Sequence, residues 1–87
     1  MDKDLKKLPN IGIELEKQLN TVGIYSYEDL ISCGSEEVWL KIKEIDSSAC
    51  INRLMAIEGA IQKVRWHNLS DRDKSHLKEF YESNKNN

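Results

Sequence analysis

The stretch Leu8-Pro9-Asn10-Ile11-Gly12 constrains this chain more than any other. Pro9 locks its own φ and drives Leu8 out of the helical region, so a helix arriving from the N-terminus must stop there. Asn10 and Gly12 are residue types that tolerate left-handed backbone angles, which lets the chain reverse sharply. Ile11, between them, can plug inward. Beyond the reversal Leu15, Leu19 and Val22 form a helical stripe, and Gly23 suits the position that ends a helix. Ser26 with Asp29 three residues on is a capping-box-like start for a short helix. The stretch reads as a helical turn over residues 2–7, a tight hairpin, a helix and a docking turn.

The rest of the chain continues in the helical period. Cys33-Gly34-Ser35 is a break, with Ser35 placed to cap a helix whose first turn holds Glu36 and Glu37, where the dipole favours negative charge. Val38, Trp39, Ile42 and Ile45 mark its apolar face, with Trp39 as core anchor. Asp46-Ser47-Ser48 is the next break and N-cap region. From Ala49 the spacing predicts the longest helix and central strut, with Cys50, Leu54, Ile57, Ile61 and Val64 along one stripe and Ile51 and Met55 widening it. Ala56, Gly59 and Ala60 are small, so a second helix is expected to cross closely there. Glycine in a helix interior costs about 1 kcal/mol against alanine, and close packing would offset that. Arg65-Trp66-His67-Asn68-Leu69 breaks the period. Ser70 and Asp73 open a last helix carrying Leu77, Phe80 and Tyr81, and residues 83–87 read as a frayed polar tail. No strand-like alternation, internal repeat or linker interrupts this pattern. The expected architecture is one all-α domain over residues 1–87, a small bundle of about five helices.

The ordered blocks carry a resemblance. Leu8-Pro9-Asn10-Ile11-Gly12 followed by Leu15, Leu19, Val22-Gly23-Ile24 and Glu28-Asp29-Leu30 resembles a helix-hairpin-helix unit of DNA repair, recombination and polymerase accessory domains. Together with Trp39-Leu40, Ile45-Asp46, Ser48-Ala49-Cys50, Arg53-Leu54, Glu58-Gly59-Ala60-Ile61-Gln62 and Val64-Arg65-Trp66-His67, the chain resembles the C-terminal domain of the TfoX/Sxy competence regulators over roughly residues 5 to 82. Those proteins regulate natural competence genes, and members with both domains act with the cyclic-AMP receptor protein at promoters. The resemblance implies a small helical adaptor, here without the N-terminal domain, that contacts a protein or a protein–DNA assembly.

Charge bears on that expectation. The formal net charge is -2, with 32% charged residues, which argues against strong nonspecific binding to nucleic acid. Direct DNA binding would run through the hairpin. Backbone N–H groups of Asn10, Ile11 and Gly12 at a helix N-terminus form an anion site, with Lys17 beside it. This chain departs from the helix-hairpin-helix pattern at two points. Asn10 replaces the first hairpin glycine, and Glu14 and Glu16 occupy the first turn of the next helix, where they oppose phosphate. The competing reading is a hairpin kept for packing. Lys3, Lys6, Lys7 and Lys17 are balanced by Asp2, Asp4, Glu14 and Glu16 and read as a solvated mixed face. Arg53, Lys63 and Arg65 form a second basic group, in which Arg53 and Lys63, ten apart on a helix, share a rough side without forming a patch.

Trp66-His67 can anchor a partner, or close the core under the last helix. Cys33, Cys50, His67 and His76 match no zinc spacing, and no metal or cofactor is expected. Cys50 falls on an apolar stripe as a small core residue. No triad, carboxylate pair or phosphate loop is present, so the chain is not expected to be an enzyme. Two cysteines without a CxxC pair, and no membrane-length apolar run, fit a reduced cytoplasmic protein. The expected partner is a protein in transcription regulation, with weak DNA contact and a homodimer through Tyr25, Ile51 or Met55 as further readings.

Overall fold

The chain stops and turns where Pro9 requires. In a computed structural model, which describes residues 4–85, a 3-10 turn over Asp4–Lys7 ends just before Leu8 and Pro9. This arm is a single 3-10 turn, shorter than the first α-helix of a helix-hairpin-helix unit. Asn10 takes a left-handed φ of 72°. Gly12 does not, being extended at φ -99° and capping helix α1 (Ile13–Thr21) without a side chain. Leu5, Ile11, Leu15 and Leu19 are all buried.

Helix α1 ends as Gly23 predicts. Gly23 has φ 92°, its amide donates to Asn20 O at 3.1 Å, and the Ile24 amide donates to Leu19 O at 2.8 Å. That pair of bonds is a Schellman closure, with Ile24 as its buried apolar residue. Helix α2 (Tyr27–Cys33) starts at Ser26, whose Oγ accepts the Asp29 amide at 3.2 Å. Asp29 in turn accepts the Tyr25 amide at 3.0 Å.

A single glycine separates α2 from α3 (Ser35–Ile45), and it corrects one expectation. Gly34, at φ 86°, holds the cap position, while Ser35 is the first helical residue and is buried. Val38, Trp39 and Ile42 are fully buried, but Ile45 is 50% exposed because the chain turns away at Asp46. Trp39 is the core anchor. Its indole N–H donates to Cys50 O at 3.3 Å, and its ring meets Phe80 and Tyr81 edge-on at 6.0 and 5.7 Å.

Helix α4 (Ile51–Gln62) is the hub. It packs on α3, on α5 and on the turn at Trp66–Asn68, and more lightly on α2. Its fully buried apolar face is Leu54, Ile57 and Ala60, while Cys50, Ile61 and Val64 are only half-buried. The helix is shorter than its apolar stripe. Lys63 takes a left-handed φ of 62° and closes it, with Val64 N donating back to Gly59 O at 2.9 Å. The longest helix is instead α5 (Asp71–Asn84), 14 residues against 12 for α4. Ser70 caps α5 by accepting the Asp73 amide at 3.0 Å, and the helix runs through residues 83 and 84 that the polar tail was expected to include.

The described residues form an all-α fold without strands. None of their helices is long and apolar enough to cross a membrane.

Candidate functional site

The hairpin candidate is built around Asn10. Its left-handed backbone aims the carboxamide at the C-terminal end of α4. Nδ2 donates to Val64 O at 3.0 Å and to Ala56 O at 3.4 Å, and Oδ1 accepts the Trp66 amide at 3.1 Å. One side chain thereby pairs a carbonyl and an amide of the chain leaving α4, Val64 O and Trp66 N, and adds a second contact to the Ala56 carbonyl inside the helix. The small face of α4 is what admits it. A Cβ on Gly59 would lie 2.5 Å from Asn10 Nδ2, 2.8 Å from Val64 O and 3.3 Å from Trp66 Cα. The close approach expected at Gly59 is therefore real, but what approaches is a side chain and a returning loop, not a second helix.

This bond joins the two candidate sites that the sequence kept apart. Trp66 follows Asn10 by 56 residues, yet they touch. Trp66 is half-buried and its ring stacks on exposed His67 at 4.1 Å and 26°. The His67 carbonyl accepts Lys74 Nζ at 2.9 Å, tying the turn to α5. Ile11 is 6% exposed, so it reaches a ligand only through backbone. Lys17 is exposed on α1, one turn beyond exposed Glu14 and next to half-buried Glu16. Lys3 lies outside the described residues.

Two further joints lock the helices. Tyr27 Oη donates to Ile61 O at 2.6 Å, and Lys63 Nζ sits 4.5 Å above the Tyr27 ring. Asp46, the break expected to cap the next helix, instead ties three segments. It accepts Gln18 Nε2 of α1 at 2.8 Å, Arg53 of α4 at 2.8 Å, and both the amide and hydroxyl of Ser48. The Ser48 hydroxyl, the Arg53 guanidinium and the Gln18 amide hold its carboxyl far below the ordinary range.

A feature with no signal in the sequence is a cleft of about 510 Å³ between the start of α3 and α5. Cys33, Gly34, Ser35 and Glu37 line one side, and Glu58, Asp73, His76 and Phe80 the other. Within it Ser35 Oγ donates to Glu58 Oε1 at 2.6 Å, and Gln62 Nε2 bridges Glu58 and Asp73 at 2.6 and 2.9 Å. His76 Nε2 lies 2.9 Å from Glu36 Oε2. Glu36 and Glu37 read in the sequence as dipole charges only, and Glu58 and Asp73 are 15 residues apart. Their convergence depends on how α3 and α5 both pack on α4. Both cysteines are free thiols, with Cys33 half-buried at the cleft wall.

The domain agrees with a known family from its first residues to α5. The model of the TfoX C-terminal domain matches residues 1–81. The chain belongs to this family. As a TfoX C-terminal domain it also resembles solved structures. One is the triclinic crystal form of an uncharacterized protein from Listeria monocytogenes, 47% identical, with a TM-score of 0.89 over 91% of this chain and 90% of that one. Another, the tetragonal form of a protein of unknown function from Listeria monocytogenes, is also 47% identical, with a TM-score of 0.87 over 91% of this chain and 98% of that one. No curated protein matches. The TfoX C-terminal family match spans residues 1–81, and among the described residues the large apolar side chains left exposed are Ile13, Tyr25, Ile31 and Ile45. Ile51 and Met55, expected as surplus apolar surface, are half-buried.

Proposed function

We propose that this TfoX C-terminal domain is a non-enzymatic regulatory adaptor that contacts a protein, or a protein already on DNA, in the control of transcription. Family membership supports the regulatory part. The observation that carries the choice of a protein partner is the use made of the hairpin. Asn10 commits its whole carboxamide to Ala56, Val64 and Trp66, and Ile11 is buried. What is left for a phosphate is the backbone at the start of α1, where Glu14 and Glu16 already occupy the positive end of the helix. A hairpin of this kind works as a joint inside the fold.

The second reading is a sequence-independent clamp on the DNA backbone by Asn10, Ile11, Gly12 and Lys17. Fluorescence anisotropy of labelled duplex DNA at two salt concentrations separates the two, since clamped phosphates impose a steep salt slope. The adaptor reading expects no such binding, together with retention of a protein by the tagged domain from the native cell after nuclease treatment. Salt-steep binding of bare DNA, or loss of every retained protein on nuclease treatment, overturns it.

A further inference from the structure

We propose that the cleft between α3 and α5 is the docking surface for the partner, and that it takes a segment presenting an arginine beside an apolar side chain. This rests on the adaptor reading and names the chemistry of what is bound.

The cleft has two kinds of wall. Leu40 and Phe80 are half-buried and Leu77 is 3% exposed, so its apolar floor is part of the core between α3 and α5. Above that floor stand Glu36, Glu37, Glu58 and Asp73. Glu58 is met by the Ser35 hydroxyl and the Gln62 carboxamide, Asp73 by the same carboxamide, and Glu36 by the His76 imidazole. Glu58 and Asp73 are held by the same nitrogen, Gln62 Nε2, at 2.6 and 2.9 Å. Two carboxylates are therefore confined within a few ångströms of each other, where like charges repel and an added cation is attracted by both.

Charge complementarity then selects the occupant. Four carboxylates exclude phosphate, so this face does not suit nucleic acid. A volume of about 510 Å³ accommodates a few side chains. Arginine fits best because its planar fork bonds carboxylates in pairs, while its weakly hydrated stem lies well on an apolar surface. A neighbouring leucine or phenylalanine would cover Leu40 and Phe80, shielding the ion pairs from water. An amphipathic helix with the arginine and the apolar residue one turn apart presents both at once.

The probe is an acetylated amphipathic 12-residue peptide carrying two arginines and two leucines at one-turn spacing, added to the full chain. Backbone amide shifts by NMR and affinity by calorimetry are measured at low and high salt. Expected are shifts centred on residues 34–40, 58 and 73–80, and an affinity that falls with salt. The Glu37→Lys/Asp73→Asn pair should weaken binding about tenfold or more, with unchanged circular dichroism. Replacing the peptide arginines by glutamate, or its leucines by alanine, should also weaken it. Shifts centred elsewhere, no binding, or an affinity indifferent to the variant overturn the proposal. The same variant separates this failure from that of the adaptor reading. If wild type and variant retain the same cellular protein equally, the adaptor stands and the cleft is not its docking surface. If neither retains a protein, the adaptor reading fails, while the peptide result still decides the chemistry of the cleft.

Discussion

The carboxamide of Asn10 lies where a side chain on Gly59 would have to be. A Cβ there would sit 2.5 Å from Asn10 Nδ2, so the absence of a side chain in the last turn of α4 is what lets the hairpin dock.

Gly59→Ala should destabilise the domain. Alanine gains about 1 kcal/mol in helix propensity over glycine. Against that, the new methyl also meets Val64 O at 2.8 Å, a backbone atom that the helix closure holds in place. Overpacking of this sort costs about 1–3 kcal/mol, so urea denaturation should show a net loss. A midpoint that rises would mean that the hairpin does not sit on α4.

Asn10→Gly and Asn10→Ala separate conformation from hydrogen bonding. Both leave Val64 O and the Trp66 amide without the carboxamide, a loss of about 1–3 kcal/mol for buried groups. Alanine should cost about 1 kcal/mol more, because φ at this position is 72°. Thermal melts of the two variants give the order. Combined with Gly59→Ala, Asn10→Gly should cost less than the sum of the two single changes, since part of the clash has gone.

Tyr27→Phe removes a side-chain bond to Ile61 O, 2.6 Å long. A loss of about 0.5–1.5 kcal/mol is expected. Amide exchange should quicken in the last turn of α4 before it does near Leu54, because the affected carbonyl lies at the helix end.

Asp46→Asn tests the corner between α1, α3 and α4. The folded carboxyl is held far below its ordinary range, first by the Ser48 hydroxyl and then by Arg53 and Gln18. A depressed folded pKa gives stability that is fully present above the unfolded value, near 3.9, and lost as pH falls toward the folded one. The gap between wild type and Asp46→Asn should therefore be constant from pH 7 to about 5 and narrow below about 4. A gap that widens on acidification would contradict this assignment.

The elements most legible in the sequence are those governed by a few adjacent residues. Ser26 and Ser70 cap the helices they precede, Gly23 closes α1, and Asn10 turns left-handed, because each depends on local dihedrals and one short hydrogen bond. Departures from the local pattern share one origin in long-range contacts. Ser35 has the residue type of a cap, but Gly34 takes that position and Ser35 is drawn inward to Glu58 on another helix. Val64 continues the apolar stripe in sequence, but Lys63 ends the helix first in a left-handed conformation that its residue type does not favour. The pairing of Lys63 with the Tyr27 ring, and the docking of Asn10 on Val64, lie at separations that no local pattern encodes.

The candidate site divides in the same way. Residues 10–12 and 66–67 stood out as motifs, but that one hydrogen-bonds to the other followed only from the packing. The acidic cleft did not stand out at all. By itself the sequence determined the helical class, the sharp reversal at Pro9 and the apolar faces of α1, α3 and α4, since chain stiffness and the 3.6-residue period act locally. Only the tertiary structure decided where Asn10 places its carboxamide and which carboxylates of α3, α4 and α5 meet. Those outcomes depend on contacts between residues far apart in the chain, whose geometry is set when the helices pack together.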